Sequence, residues 1–369
     1  MRILYVISST QTGGAEKFLA SLAKVIIQKW HQVRVICLKP LGPIAKLLQT
    51  QGAEVTQLPA GKLPGKQIRA LRKEIEQFKP DLIHAMLFRA IEYTRLACAG
   101  KDIKLITTPH FDFSKRPFLY RVADCLLKEK DTLTIAESVS TGNYLIKKQH
   151  YRKDKVYILP NGVDKNRFYK DTSLRKAMRD KYGFHVKTTV FICVARLAEV
   201  KEPLLLLKAF RNVQMRNPDV KLMYVGEGEE RAVLEGYTQR SNLSKDVVFV
   251  GEQDDINAFL NMADVFVLPS KEESLPLALL EALQVGLPCI VSRAGDMPLW
   301  VEHGKNGYVI PVGDLTLLSC FMSELSKPDI RDMMAKQTIK KSNQIINNFE
   351  KYSSLYQQVI SNSFHVKTN

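Results

Sequence analysis

Four groups of residues in this chain have types and spacings suited to chemistry. The most specific is Pro269-Ser270-Lys271-Glu272-Glu273-Ser274-Leu275-Pro276-Leu277-Ala278-Leu279-Leu280-Glu281-Ala282, in which Glu273 and Glu281 flank an apolar run. It ends the strand-like Ala263–Leu268 and opens a helix expected over Leu275–Gln284. Pro276 would sit in the first turn, where its missing N–H costs nothing. Ser274 and Glu281 would then share a helix face, separated by a rise of roughly 10 Å. A carboxylate among Leu and Ala needs partners. Glu281 suits two ribose hydroxyls and Glu273 suits sugar hydroxyls; the alternative is that they, with Glu272, are merely solvated. The second group is Arg196 with Lys201, the first just past a strand and the second at the start of a helix expected over Glu202–Arg216. A cation there opposes the helix dipole, a conflict that a bound anion would resolve. Two cations with free N–H groups make a diphosphate site; otherwise they are two solvated bases. The third group, Thr12-Gly13-Gly14-Ala15-Glu16, follows the first strand and opens a helix expected over Gly14–Lys29. Gly13 and Gly14 let an anionic ligand approach backbone N–H groups at a helix N-terminus, or serve a tight turn that needs glycine. Fourth, His110 lies at the C-terminal end of a strand, the edge where open α/β sheets bind ligands. It can exchange hydrogen bonds near neutral pH, or be satisfied by loop backbone.

These residues need elements to hold them. Short β-branched runs alternate with amphipathic segments along the whole chain, first over Ile3–Ser8, Val33–Leu38, Glu54–Leu58, Leu82–Met86, Lys104–Thr108, Thr132–Ala136 and Val156–Leu159. The rhythm then restarts with Val190–Ala195, Lys221–Val225, Val247–Val250, Val265–Leu268, Cys289–Val291 and Tyr308–Ile310. Continuous apolar runs read as buried parallel strands joined by helical crossovers, an α/β class. The turn dipeptide Asn161-Gly162 and the polar segment after it place a linker near 160–172, so the 369 residues make two domains.

Composition narrows the function classes. No stretch of 18 apolar residues spans a membrane, and no cleavable leader is visible after the N-terminus. The six cysteines are scattered without zinc spacing, which suits a reducing cytoplasm. The turn after the first strand lacks GxGxxG, which disfavours NAD, and no nucleic-acid-binding signature appears. The net charge is +16, and it is uneven. Residues 1–168 carry 29 Lys/Arg against 14 Asp/Glu, and residues 169–369 carry 25 against 24. The basic half suits an anionic partner, such as a membrane surface or a phosphorylated substrate. Two stretches, Gly61–Lys79 and Lys115–Lys130, combine basic residues with apolar ones at helical spacing; their apolar stripes either pack on the sheet or help meet an anionic membrane.

Gly-Gly-Ala-Glu near the start, Asn161-Gly162-Val163-Asp164 at the linker, Arg196 with Lys201, and Glu273-x7-Glu281 occur in an order that resembles the retaining family 4 glycosyltransferases of GT-B fold over nearly the whole chain. The chain departs from that pattern where Glu273-Ser274-Leu275-Pro276 stands for the frequent Glu-Gly-Phe-Gly. The resemblance implies two Rossmann-like parallel-sheet domains facing across a cleft. Residues 1–165 would form the acceptor-side domain and 166–345 the nucleotide-sugar domain, with 346–369 a helix and tail free to pack back on the first. It implies that Arg196 and Lys201 hold the diphosphate, Glu281 the ribose, and Glu273, with Ser274 and Leu275, the transferred sugar. Glu252 and Gln253 would lie near the base, Gly13 and Gly14 near the phosphates, and His110 beside the reacting sugar. The partners implied are a nucleotide-sugar donor, UDP-linked in preference to GDP-mannose, and a saccharide or lipid-linked acceptor, with peripheral contact to an anionic membrane on its cytoplasmic face and no nucleic acid. No cofactor or metal is expected, since no Asp-x-Asp pair occurs. The other readings are a different GT-B enzyme, hydrolytic or phosphorylase-like, and a non-catalytic nucleotide-sugar or polyanion binder.

Overall fold

The computed structural model describes residues 1–29, 31–59, 64–110, 118–364 and 366. Lys62, Lys115 and Arg116 of the two basic stretches lie outside them. The chain divides into two compact units, Met1–Asn161 with Asn348–Asn369, and Gly162–Asn347.

In the first unit the strands are β1 (Arg2–Ile7), β2 (Gln32–Cys37), β3 (Glu54–Gln57), β4 (Leu82–Met86), β5 (Lys104–Thr108), β6 (Leu133–Ala136) and β7 (Val156–Ile158). They form one parallel sheet in the order β3-β2-β1-β4-β5-β6-β7. Ile3 through Ile7 are buried without exposure, as a central strand covered on both faces requires. In the second unit β8 (Thr189–Val194), β9 (Val220–Val225), β10 (Val247–Phe249), β11 (Val265–Leu268), β12 (Cys289–Ser292) and β13 (Gly307–Ile310) form a parallel sheet in the order β10-β9-β8-β11-β12-β13. Both orders reverse direction once, between β1 and β4 and between β8 and β11, so each sheet has a switch point where crossovers diverge and leave a crevice at the strand C-termini.

The helix Phe349–Ile360 belongs to the first unit and packs on the helix Gly14–Gln28. Its Tyr356 hydroxyl lies 2.7 Å from His84 Nδ1 and accepts from the Tyr5 hydroxyl at 3.3 Å, while His84 Nε2 meets the Thr108 hydroxyl at 2.7 Å. A buried imidazole that satisfies both nitrogens on hydroxyls ties the chain's last helix to the centre of the first sheet.

The two basic stretches fold differently. The helix Pro64–Phe78 buries Leu71 and Ile75, with Ile68 and Phe78 packed against the same core. The helix Phe118–Leu127 buries only Asp124. That carboxylate reaches Arg95, a fully buried guanidinium that also pairs with Glu92 and Asp131.

Candidate functional site

Arg196, Lys201 and Glu273 lie on the loops after β8 and β11, at the switch point of the second sheet. Arg196 lies two residues beyond β8 and is exposed, with no ion pair among the described residues. Lys201 closes a single 3₁₀ turn, Glu199–Lys201, and Glu202 adopts a left-handed conformation (φ 54°) before the helix Pro203–Gln214. Lys201 therefore precedes the helix rather than opening it. From the neighbouring strand, β11, the chain runs into the loop that carries Glu273. Lys201 Nζ lies 2.5 Å from Glu273 Oε1, and the Ser270 hydroxyl donates to the same oxygen at 2.8 Å. A second bridge crosses the other way: Lys271 Nζ meets Glu199 at 2.8 Å and Glu202 at 2.9 Å, and the Lys271 N–H donates to the Val200 carbonyl at 2.8 Å. The two loops are thus stitched by reciprocal ion pairs, and the lysine that opposes the dipole has a carboxylate of the chain itself beside it.

The helix begins at Leu277, with Pro276 as its extended N-cap. Ser274 lies in the loop, so it does not share a helix face with Glu281 as the sequence suggested; Pro276 confines the preceding residues to extended backbone. Glu281 is half-buried, midway along the helix Leu277–Val285, and Leu275 is buried. Glu252 is exposed after β10, and Gln253 donates to the Val250 carbonyl at 2.7 Å, which folds that loop back on its strand.

Two residues that hold this site went unread in the sequence. Gly226, after β9, has φ 137°, and a Cβ there would stand 2.1 Å from the Ala195 carbonyl oxygen. Only glycine lets this loop press against the strand end that carries Arg196. Gly295 has φ 51°, and its Cβ would meet the Glu273 and Ser274 carbonyl oxygens at 2.2 and 2.3 Å, while the Asp296 N–H donates to Ser274 at 2.8 Å. The signal was available in Val225-Gly226-Glu227-Gly228, glycines directly after an apolar strand, and in Ala294-Gly295-Asp296.

In the first unit, Gly13 is the extended N-cap of the helix Gly14–Gln28. Neither Gly13 nor Gly14 has positive φ, and a Cβ on Gly14 would meet nothing within 4 Å, so the turn itself does not require glycine at Gly14. Glu16 folds its carboxylate over Gly13, and burial pushes its carboxyl up against the opposing pull of its own backbone N–H and of Lys39. Phe18 from this helix packs edge-on against His110, with ring centroids 4.9 Å apart. His110 has φ 47°, and its Nε2 is buried without a hydrogen-bond partner among the described residues. Burial pushes its pKa down to about 3, so the ring is neutral. The structure thus joins His110 to the glycine-bearing helix, and Lys201 to Glu273.

Residues 12–167 match the family described as Glycosyltransferase Family 4, and residues 175–342 match Glycosyl transferases group 1. The chain belongs to the family 4 glycosyltransferases, and its two Rossmann-like parallel-sheet units are those of the GT-B fold. It is 28% identical to the UDP-Gal:alpha-D-GlcNAc-diphosphoundecaprenol alpha-1,3-galactosyltransferase of Escherichia coli, over 80% of each chain. It is 29% identical to the N-acetyl-alpha-D-glucosaminyl L-malate synthase of Bacillus anthracis, over 63% of this chain and 61% of that one, less than two thirds of the relative's length. Among solved structures, that of Anabaena Alr3699/HepE in complex with UDP and glucose superposes with a TM-score of 0.86 at 21% identity, covering 97% of this chain and 99% of that one.

Proposed function

We propose that this glycosyltransferase is a retaining enzyme that moves a hexose or N-acetylhexosamine from a UDP-sugar, in preference to GDP-mannose, to a hydroxyl of a lipid-linked saccharide or of a lipopolysaccharide or polysaccharide precursor at the cytoplasmic face of an anionic membrane. The observation that carries the reading is the Lys201–Glu273 pair at the β8/β11 switch point, with Arg196 open beside it. A diphosphate would take Lys201 from Glu273 and add Arg196, and Glu273 would turn to the sugar hydroxyls. Glu281 would hold the ribose, the Ser274 and Leu275 loop the sugar, and Glu252 and Gln253 the base. Gly13 and Gly14 would leave room for the phosphates at a helix N-terminus. His110, neutral at physiological pH, would orient the reacting groups without adding charge.

The reaction breaks the bond between the anomeric carbon and the diphosphate oxygen. The acceptor oxygen bonds to the same face of that carbon, and its proton passes to the departing diphosphate. Arg196, Lys201 and loop N–H groups meet the developing charge in place of a metal, a preorganised electrostatic role. The support for a UDP-sugar and a lipid-linked acceptor is the reaction for which the E. coli relative is named and the UDP in the Anabaena structure. The test is a screen of UDP- and GDP-sugars against lipid-linked and soluble acceptors, with mass spectrometry and NMR of the linkage, with and without chelator. An α-linked product from an α-linked UDP-sugar, formed equally with chelator, is expected. Donor hydrolysis alone, an inverted linkage, or activity abolished by chelator and restored by Mn²⁺ each contradict a part of this reading.

A further inference from the structure

The helix Phe118–Leu127 carries an apolar stripe on its outside, although Tyr120, Ala123 and Leu127 are half-buried on its other side. Phe118 is 73% exposed, Leu119 78%, Leu126 74% and Val122 40%, while the one buried side chain is Asp124. At 100° per residue, Phe118, Leu119, Val122 and Leu126 fall within one arc of the helix, with Asp124 on the opposite side and Arg121 at the stripe's flank. An ordinary surface helix points its apolar stripe inward. Here the roll is fixed by charge: Asp124 Oδ1 accepts from Arg95 at 2.8 Å and from the Tyr151 hydroxyl at 2.5 Å. Arg95 is held in turn by Asp131 and Glu92. Rolling the stripe inward would pull Asp124 out of a buried network and leave Arg95 short of a partner, which is strongly unfavourable. The contrast with the helix Pro64–Phe78 shows that the fold buries such a stripe elsewhere in the same unit.

We propose that this helix is a membrane-insertion element: its apolar stripe enters the interfacial region of an anionic bilayer, and the Arg95–Asp124 pair holds it outward for that purpose. The proposal deepens the membrane-acceptor reading above and rests on it. The choice of a bilayer over a protein partner is argued from charge. Arg121 and Lys130 are exposed on and next to the helix, and Lys147 and Lys148 are exposed at the end of the helix Val139–Lys148. Glu129, the nearby acid, is already paired with Lys155 and Arg152. A partly apolar, basic-flanked helix lying in the interface plane is the form that binds anionic lipid by both area and charge. The helix is about 15 Å long, enough to seat four apolar side chains without spanning.

The experiment uses the full chain and vesicles of equal parts phosphatidylcholine and phosphatidylglycerol, with phosphatidylcholine alone as control. Wild type is expected to sediment with the anionic vesicles at low salt and to keep a salt-resistant fraction. Leu119→Ser with Leu126→Ser should weaken partitioning by roughly tenfold or more and abolish that fraction, with UDP affinity unchanged. In a Leu126→Trp variant, emission should shift to the blue on binding and be quenched by brominated lipid. Equal partitioning of the double-serine variant, or an unquenched Trp, overturns the insertion while the membrane reading stands. Wild type that ignores anionic vesicles overturns both, whereas loss of UDP binding in wild type would strike only the donor assignment. A dimer of wild type that the double-serine variant dissolves would make the stripe a contact between two copies and overturn the proposal.

Discussion

Lys201 and Glu273 come from loops after β8 and β11 and meet at 2.5 Å, with side chains 24% and 8% exposed. The lysine is therefore poised but occupied. On the proposed function, a diphosphate would have to outcompete one carboxylate to claim it, and would release that carboxylate toward the sugar.

Arg196→Ala and Lys201→Ala should each weaken UDP binding by about 1–3 kcal/mol, the scale of a charge-assisted hydrogen bond. The Arg196 loss should appear in full, because that guanidinium has no ion pair among the described residues to give up. The Lys201 loss should be the smaller, since wild type must first break the Glu273 pair. Calorimetry with UDP measures both; unchanged affinity in the two variants would remove the diphosphate assignment.

The two acids should separate by ligand. Glu281→Ala should weaken free UDP, because its proposed partner is ribose. Glu273→Gln should leave UDP binding equal or tighter, because Lys201 is freed, and should lower kcat for transfer. If both variants lose UDP affinity alike, the division of roles is wrong.

Much of this was legible beforehand. Apart from the edge strand β3, whose Glu54 and Gln57 are exposed, the strands of both sheets follow apolar runs visible in the sequence, because a parallel strand covered on both faces has no alternation to confuse. The sequence also singled out Lys201 and Glu273, which the structure brings together. What the sequence hid was pairing across distance. Asp264 reads as the polar start of an apolar strand, yet it accepts from Arg175 at 2.6 Å, Arg179 at 2.7 Å and the Val190 N–H at 2.8 Å. The outward roll of Phe118–Leu127 was hidden for the same reason. Periodicity gives the stripe, but only the distant Arg95 decides which way it faces.

The buried histidines predict acid sensitivity of the first unit. Burial holds His84 well below its ordinary 6.5 and His110 at about 3, whereas both titrate near 6.5 when unfolded. Between those values the unfolded chain binds protons that the native chain does not. Stability is therefore complete above pH 6.5 and falls as pH drops, with His84 alone contributing a slope of about 1.4 kcal/mol per pH unit. Melting temperatures from pH 7 to 4.5 should show it. His84→Asn should lower Tm at neutral pH, by loss of the Tyr356 and Thr108 bonds, and flatten the slope; an unchanged slope would clear His84 of that role. The pH profile of transfer should show no step from His110 near 6.5.

The Arg95 network supplies the last prediction. The guanidinium is fully buried and meets Glu92 at 2.9 Å, Asp124 at 2.8 Å, and Asp131 at 2.5 and 2.8 Å. Removing it would leave acids buried without their cation, a loss of about 3–5 kcal/mol by the usual cost of breaking a buried pair. Arg95→Met keeps the volume and isolates the charge, so its Tm at pH 7 should fall steeply. Asp124→Asn in the Arg95→Met background removes one stranded charge and should recover part of the loss, a coupling readable in a double-mutant cycle. Additive effects in the double variant would mean that Arg95 acts by packing alone, and that its charge does not set the roll of the helix above it.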